Sequence, residues 1–478
     1  MTNNHPDWVL KHKVPGTAIV KKKDSFYLYK ISSKWNQEKG RAQKVTDKYL
    51  GKITPEGLVA PKVRIDSTNI ALPNNIAIKE FGATSVLQYF SSDIIANLKK
   101  IFPDDYQQLI VLAFLRLTYT STFKNAPMLY QTSHLSDQYQ EIKLSSKSIA
   151  DFLKHIGNKR QDILKFMQLF QTGKYVLFDA TNIFSKSQNM DINHLGYNSD
   201  DKFEPQINLM YSFNAADRSP AYYRVIPGNI REISAFKISV EEIGLENTLV
   251  IADKGFSSES NISFLEQEKL SYLIPLRRNN KLIEYKNFND EDYFIFKGRP
   301  IWFYSYYVDS RKVIVYLDER LKTDETKVYL NLLENGYEDY TLEVFKIKRS
   351  KFGTFAVITN TELSEKEAYE HYKSRLEIET MFNALKNTLD ADKTYMQGES
   401  QLETWFFINH IALQLYYRLF NRLKQAELLN KYSPQDILLH LSQVKKIKLN
   451  GVWKVAEINS KVQKIIKQLE FEDILRKI

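Results

Sequence analysis

The segments KYVLFDA (174–180), INLMYSF (207–213), AYYRVIPG (221–228), TLVIAD (248–253) and SYLIPL (271–276) decide the architecture of this chain. Each is a short apolar run rich in β-branched and aromatic residues and bounded by turn formers, the pattern of a buried strand. The first three follow one another through short connections, which suits an antiparallel meander. A helical segment at 233–243 precedes TLVIAD, and the helical SESNISFLEQEK (258–269) precedes SYLIPL. The order is a layered α/β arrangement with a mixed sheet.

Outward from this core the period changes. Residues 1–70 read as a β-rich module, with β-like runs at 25–31 and 45–53, a basic loop SSKWNQEKGRAQ (32–43) and a turn TPEG (54–57). The loop, with Lys34, Lys39, Arg41 and Lys44, fits a DNA contact or a solvated hairpin tip. Residues 71–170 have helical spacing and form the candidate DNA-binding domain. Their last stretch, SSKSIADFLKHIGNKRQDILKFMQLF (145–170), starts at a Ser cap, breaks near Gly157 and resumes. That resembles a helix-turn-helix, although two helices joined at a glycine occur in any α domain.

The core runs over 171–281 and resumes at 350–395. Between the two parts, YFIFKG, PIWFYSYYV, KVIVYL and KVYLNLL are strand candidates of an inserted β subdomain at 282–349. Residues 396–478 read as helical to the end, beginning with LETWFFINHIALQLYYRLFNRLK (402–424).

A chain of 478 residues with 43% hydrophobic content buries several cores. The net charge of +10 and a pI near 9.1 favour a polyanionic partner. With no cysteine, disulfides, thiol catalysis and Cys-type zinc sites are excluded, and any metal falls to carboxylates, histidine or carbonyls. The eight histidines show no paired-ligand spacing. The start lacks a signal-peptide core and no run of 18 or more apolar residues occurs, so a cytoplasmic protein without a membrane role is expected.

The stretch EKEAYEHYKSRLEIETMFNALKNTLD (365–390) reads as one helix, capped by Ser364 with Glu367 three residues on. At about 100° per residue, Tyr372, Arg375, Glu379 and Lys386 share an arc of about 60°. Ile378, Met381, Phe382, Leu385 and Leu389 lie on the flank beside them. Taken alone, the stripe also fits a solvated face with helix ion pairs.

Asp179 and Asp253 stand at the carboxyl ends of the most apolar strands, where burial of a lone carboxylate costs several kcal/mol unless compensated. Singly, either also fits a helix cap or a turn. With Glu379 they form a three-carboxylate set, whose mutual repulsion calls for divalent metal.

Strand-strand-strand-helix-strand-helix is the order of a ribonuclease-H-like core. On these residues the chain resembles the DDE transposases of bacterial insertion sequences, of the insertion-sequence-four type. The signature of that type is Tyr, two residues, Arg, three residues, Glu, six residues, Lys, which Tyr372, Arg375, Glu379 and Lys386 match throughout. The resemblance extends to Asp179 with the following Ala-Thr, to LGYNSDDKFEPQINLMYSF (195–213), to ProGlyAsn at 227–229, and to Asp253-Lys254-Gly255-Phe256.

The resemblance implies two Mg²⁺ ions, or Mn²⁺, held by Asp179, Asp253 and Glu379. It implies cleavage at terminal inverted repeats of double-stranded DNA and joining of the 3' ends to target DNA, with a homodimer pairing two ends. Arg375, Lys386 and Tyr372 then grip DNA phosphates. Lys254 fits the same role or an ordinary surface lysine. Trp302 is the candidate for stacking on a flipped base, with core packing as its alternative, and Arg299 a candidate backbone contact. A non-catalytic DNA-binding protein of this fold and a nuclease that cuts without joining are the competing readings.

Overall fold

The computed structural model describes residues 5–37, 39–61, 76–171, 173–196, 203–230, 232–285 and 292–476. The chain divides into two units, Met1–Asn74 and Asn75–Ile478. The first is a four-stranded antiparallel sheet in chain order, Thr17–Lys22, Ser25–Asn36, Arg41–Thr54 and Gly57–Val59. Its small core is Val9, Phe26, Leu28 and Ile53, with Trp8, Ile19 and Leu50 packed against it. The stretch read as the loop 32–43 is mostly strand, because the two long strands stay paired out to Asn36 and Arg41.

In the second unit, an eleven-stranded mixed sheet is packed with helices. Its first strands are β1 (Tyr175–Ser185), β2 (Pro205–Asn214) and β3 (Ser219–Pro227), an antiparallel meander. After α1 (Glu232–Ile243) comes β4 (Leu249–Ala252), and after α2 (Glu259–Gln267) comes β5 (Ser271–Leu276). β4 lies parallel to β1, and β5 parallel to β4, so the spatial order is β3-β2-β1-β4-β5. Burial explains the composition: Val176, Leu177 and Phe178 on β1 and all of Leu249–Ala252 on β4 are buried.

The segment after Arg278 extends the same sheet. β6 (Tyr293–Phe296), β7 (Arg299–Val308) and β8 (Arg311–Asp318) pair antiparallel in sequence, and β8 and β5 both pair with β9 (Thr354–Thr359). KVYLNLL, read as a strand, is instead part of the helix Glu319–Glu334. The Asp318 carboxylate caps that helix by accepting from the amides of Arg320 (3.0 Å) and Leu321 (3.2 Å), and no Gly or Pro interrupts the run.

The helices of 82–168 pack around a long helix, Glu399–Gln425. Ser146–Gly157 lies against it so closely that a Cβ on Gly157 would sit 1.7 Å from the Ser400 carbonyl oxygen. Only glycine allows that approach. The C-terminal region is not all helix: Lys445–Leu449 and Val452–Val455 form a hairpin that pairs with Ala77–Glu80. Short lysine-rich strands such as KKIKL carry little strand signal until a partner is supplied.

Candidate active site

Two strands and one helix segment bring the acids together. β1 and β4 run parallel in the register Leu249↔Tyr175 to Ala252↔Phe178, so the next residues, Asp253 and Asp179, come side by side. The sequence pattern puts Asp179 at a strand end, but in the structure it lies within its strand. β1 continues to Ser185 because β2 stays paired with it through Phe184↔Gln206, whereas β4 stops at Ala252. Asp253 is therefore the residue at a carboxyl end.

The stretch 365–390 is not one regular helix. Ser364 and Glu367 form the expected capping box, and α3 runs over Glu365–Lys373 and α4 over Leu376–Asn383. At the junction the amides of Arg375 and Ile378 bond to carbonyls three residues back (3.1 Å each), a tightened turn. The Ser374 hydroxyl donates to the His371 carbonyl (2.6 Å) and competes with the regular ladder there. Residues Ala384–Thr388 then widen into a π-helical turn. The apolar flank holds the segment down: Ile378, Met381, Phe382, Leu385 and Leu389 are buried. Buried Arg116 fixes its end, donating to the Leu389 carbonyl and to Asn409 Oδ1 (3.2 Å) on the long helix.

The junction places Arg375 at the centre of the acids. Its Nη1 lies 3.4 Å from Asp179 Oδ2 and 3.6 Å from Asp253 Oδ1, and its Nη2 pairs with Glu379 Oε1. Burial alone would lower the guanidinium pKa, but the charges of Asp253, Asp179 and Glu379 outweigh it and raise the pKa. The Tyr372 phenol belongs to the same cluster. Burial raises its pKa first, Asp253 and Glu379 add to that, and its hydrogen bond with Arg375 opposes it. The Tyr372 ring leans on Phe355 of β9, with centroids 5.3 Å apart.

The remaining candidates are placed apart from this centre or at its rim. Lys254 is exposed, one residue beyond Asp253. Lys386 is half-buried in the π-helical turn. Trp302, half-buried on β7, packs across the strand pair against Tyr293 (5.3 Å). Arg299, on the same strand, pairs with the capping Asp318 (3.3 Å). The expected motif 195–213 includes residues 197–202, which lie outside the described residues. Its Gly196 and the Gly228 of ProGlyAsn meet, since a Cβ on Gly196 would sit 2.1 Å from the Gly228 carbonyl oxygen.

Lys373, for which the sequence carries no signal beyond charge, also borders the site. Its ammonium lies over the rings of Phe355 (4.9 Å), Tyr369 (5.1 Å) and Tyr372 (5.8 Å). Burial lowers its pKa; Asp318 opposes this, while Arg299, Arg375 and Lys297 reinforce it.

Three carboxylates are a hard, oxygen-only donor set, chemically suited to Mg²⁺ or Mn²⁺. Their convergence on a single cationic group means that they share one charge centre. Among the described residues no three acidic or histidine side chains have the closer spacing of a metal cluster; the acids stand around a guanidinium, which is wider than an ion.

A search of curated proteins gives no match to this chain. Among solved structures, it is similar to the cryo-EM structure of the piggyBac transposase synaptic complex with hairpin DNA, at 10% identity and a TM-score of 0.40, over 83% of this chain and 84% of that one. It is similar also to the Mos1 transposase paired-end complex with left transposon end, at 11% identity and a TM-score of 0.16, over 34% of this chain and 56% of that one. Residues 171–415, half of the chain, match the family model of the transposase DDE domain, and they include every residue of the cluster around Arg375. The chain belongs to the DDE transposase family.

Proposed function

We propose that this protein is a cut-and-paste transposase of the insertion-sequence-four type. In this reading it cleaves double-stranded DNA at terminal inverted repeats and joins the 3' ends to target DNA. The observation that carries the reading is the meeting of Asp179, Asp253 and Glu379 at one cationic centre within the transposase domain. The strand order β3-β2-β1-β4-β5, with β1, β4 and β5 parallel, supports a ribonuclease-H-like core. The Tyr372, Arg375, Glu379, Lys386 spacing supports the type.

DDE transposases use divalent metal ions, and here Asp179, Asp253 and Glu379 would hold two Mg²⁺, with Mn²⁺ able to substitute. Such ions, when bound, supply activation of the attacking water or 3'-hydroxyl and charge stabilisation at the leaving 3'-oxygen. The chain's own residues do the rest. Arg375 offsets part of the acids' charge in the absence of DNA and offers a bidentate fork to a phosphate once released from them. The Tyr372 hydroxyl donates to a neighbouring phosphate oxygen, and Lys386 adds a point charge further along the segment. Lys254, Lys373 and Arg299 extend the grip along the backbone, and Trp302 offers a stacking face for an unpaired base.

Two DNA ends are paired by a homodimer in this reading, and the protein acts in the cytoplasm on the nucleoid. Among the described residues no helix is long and apolar enough to cross a membrane. The test is a cleavage and strand-transfer assay on DNA carrying the inverted repeats that flank the reading frame, with Mg²⁺ present. Release of the element and joined products are expected. Nicking without joined products would replace the transposase with a nuclease, and no cleavage with intact DNA binding would leave a binding protein.

A further inference from the structure

The charge of this chain is unevenly placed. Residues 1–74 contain fourteen lysines and arginines against six aspartates and glutamates, so this unit carries +8 of the formal +10. Only +2 remains for the much longer second unit, which holds the acid cluster.

Within the first unit, the strands Ser25–Asn36 and Arg41–Thr54 outrun their neighbours. Thr17–Lys22 pairs only with 25–30, and Gly57–Val59 only with 52–54. Beyond those pairings, 31–36 and 41–46 form a two-stranded ribbon with no further strand on either edge among the described residues. At about 3.4 Å per residue it extends for about 20 Å. None of the unit's buried core residues lies in it.

Register fixes the two faces of the ribbon. Lys34 pairs with Gln43, Asn36 with Arg41 and Ser32 with Val45, so these share one face; Trp35 with Ala42 and Ser33 with Lys44 share the other. On the first face Asn36 Nδ2 donates to Gln43 Oε1 (3.1 Å), and Lys34 and Arg41 stand exposed on either side. Lys39 and Lys44 are exposed at the tip and on the reverse face, and Trp35 keeps 68% of its surface exposed. A ribbon kept for packing would bury its tryptophan and would not collect four cations.

We infer that this ribbon is a second DNA-binding element that enters the major groove of duplex DNA. Lys34, Asn36, Arg41 and Gln43 would face the base edges, and Lys39 and Lys44 the flanking phosphates. The major groove, about 12 Å wide, admits a two-stranded ribbon; Arg and Lys suit guanine edges, and Asn and Gln suit adenine. The inference rests on DNA being the substrate but asks nothing of Asp179, Asp253 or Glu379.

The test measures binding of the full chain to fluorescein-labelled duplex DNA by anisotropy across a salt series. Replacing Lys34, Lys39, Arg41 and Lys44 together by Ala should flatten the slope of log affinity against log salt by about 3 to 4, at about 0.9 for each phosphate no longer neutralised. A charge-matched variant, with Lys11, Lys13, Lys22 and Lys23 replaced by Ala, should retain most of the wild-type slope. Asn36→Ala with Gln43→Ala should keep the slope but narrow the spread of affinities across duplexes of different sequence. An unchanged slope in the ribbon variant, an equal loss in the charge-matched variant, or an unchanged spread overturns the inference. So does a loss confined to phosphatidylserine vesicles with duplex binding intact. If binding follows the ribbon while no cleavage is found, the ribbon stands and the transposase reading falls; active cleavage with an unchanged slope is the reverse.

Discussion

Arg375 Nη1 lies 3.4 Å from Asp179 Oδ2, and the same guanidinium touches Asp253 and Glu379. One cation thus offsets part of the repulsion among three carboxylates. It competes with any divalent ion for the same oxygens. Arg375→Gln should therefore tighten Mn²⁺ binding to the DNA-free protein, by about tenfold for about 1.4 kcal/mol of released competition. Electron paramagnetic resonance of free Mn²⁺ reads this directly. Unchanged or weaker binding would show that the guanidinium does not compete.

The three acids have separate requirements. Asp179→Ala, Asp253→Ala and Glu379→Ala should each lower cleavage by at least about a hundredfold, since even a supporting partner of a metal ligand is worth about 10- to 100-fold. Duplex binding should stay within about twofold, because none of the three contacts phosphate in this reading. A variant that cuts at the wild-type rate would remove that acid from the site.

Lys386 and Tyr372 differ in charge, and salt separates them. Lys386→Ala should lower the salt slope of DNA-end binding by about 1, whereas Tyr372→Phe should leave the slope alone and cost about 1 kcal/mol of binding. Equal slopes for wild type and Lys386→Ala would place the lysine away from the phosphates.

Stability should fall on the acid side through His410. This side chain is fully buried, hydrogen-bonded through Nδ1 to the Tyr211 hydroxyl (2.6 Å), and burial pushes its pKa down to about 3. The unfolded chain takes up a proton near pH 6.5 that the folded chain refuses. The neutral histidine's contribution is thus present above about pH 6.5 and is lost as pH falls towards the folded value, at about 1.4 kcal/mol per pH unit. Chemical denaturation should show stability falling from about pH 6.5 to pH 5, and His410→Gln should reduce the fall by about that slope.

Gly157→Ala tests the packing of the helix pair at 146–168. With the Ser400 carbonyl 1.7 Å from the new Cβ, the backbones must separate, at about 1–3 kcal/mol. A lowered Tm is expected. An unchanged Tm would mean that Gly157 serves only as a turn residue.

Much of the architecture was legible because burial writes itself into composition. The strands at 175–185, 249–252 and 271–276 are rich in apolar residues, and the capping box at Ser364 and Glu367 is a local pattern that needs no partner. Local pattern failed where two periods compete or where the partner is distant. KVYLNLL alternates like a strand, yet the Asp318 cap made it helix. The hairpin at 445–455 depended on Ala77–Glu80 from the other end of the chain.

The sequence by itself determined which residues carry charge and at what spacing: Asp179 and Asp253 in apolar strands, and Tyr372, Arg375, Glu379 and Lys386 along one segment. Only tertiary structure decided that Asp179, Asp253, Tyr372, Arg375 and Glu379 meet. Parallel pairing of β1 with β4 sets Asp253 beside Asp179, and the tightened turn at Ser374 swings Arg375 onto both. Spacing along a chain gives direction around one helix axis. Convergence depends on hydrogen-bond register between strands far apart in sequence, which no single stretch contains.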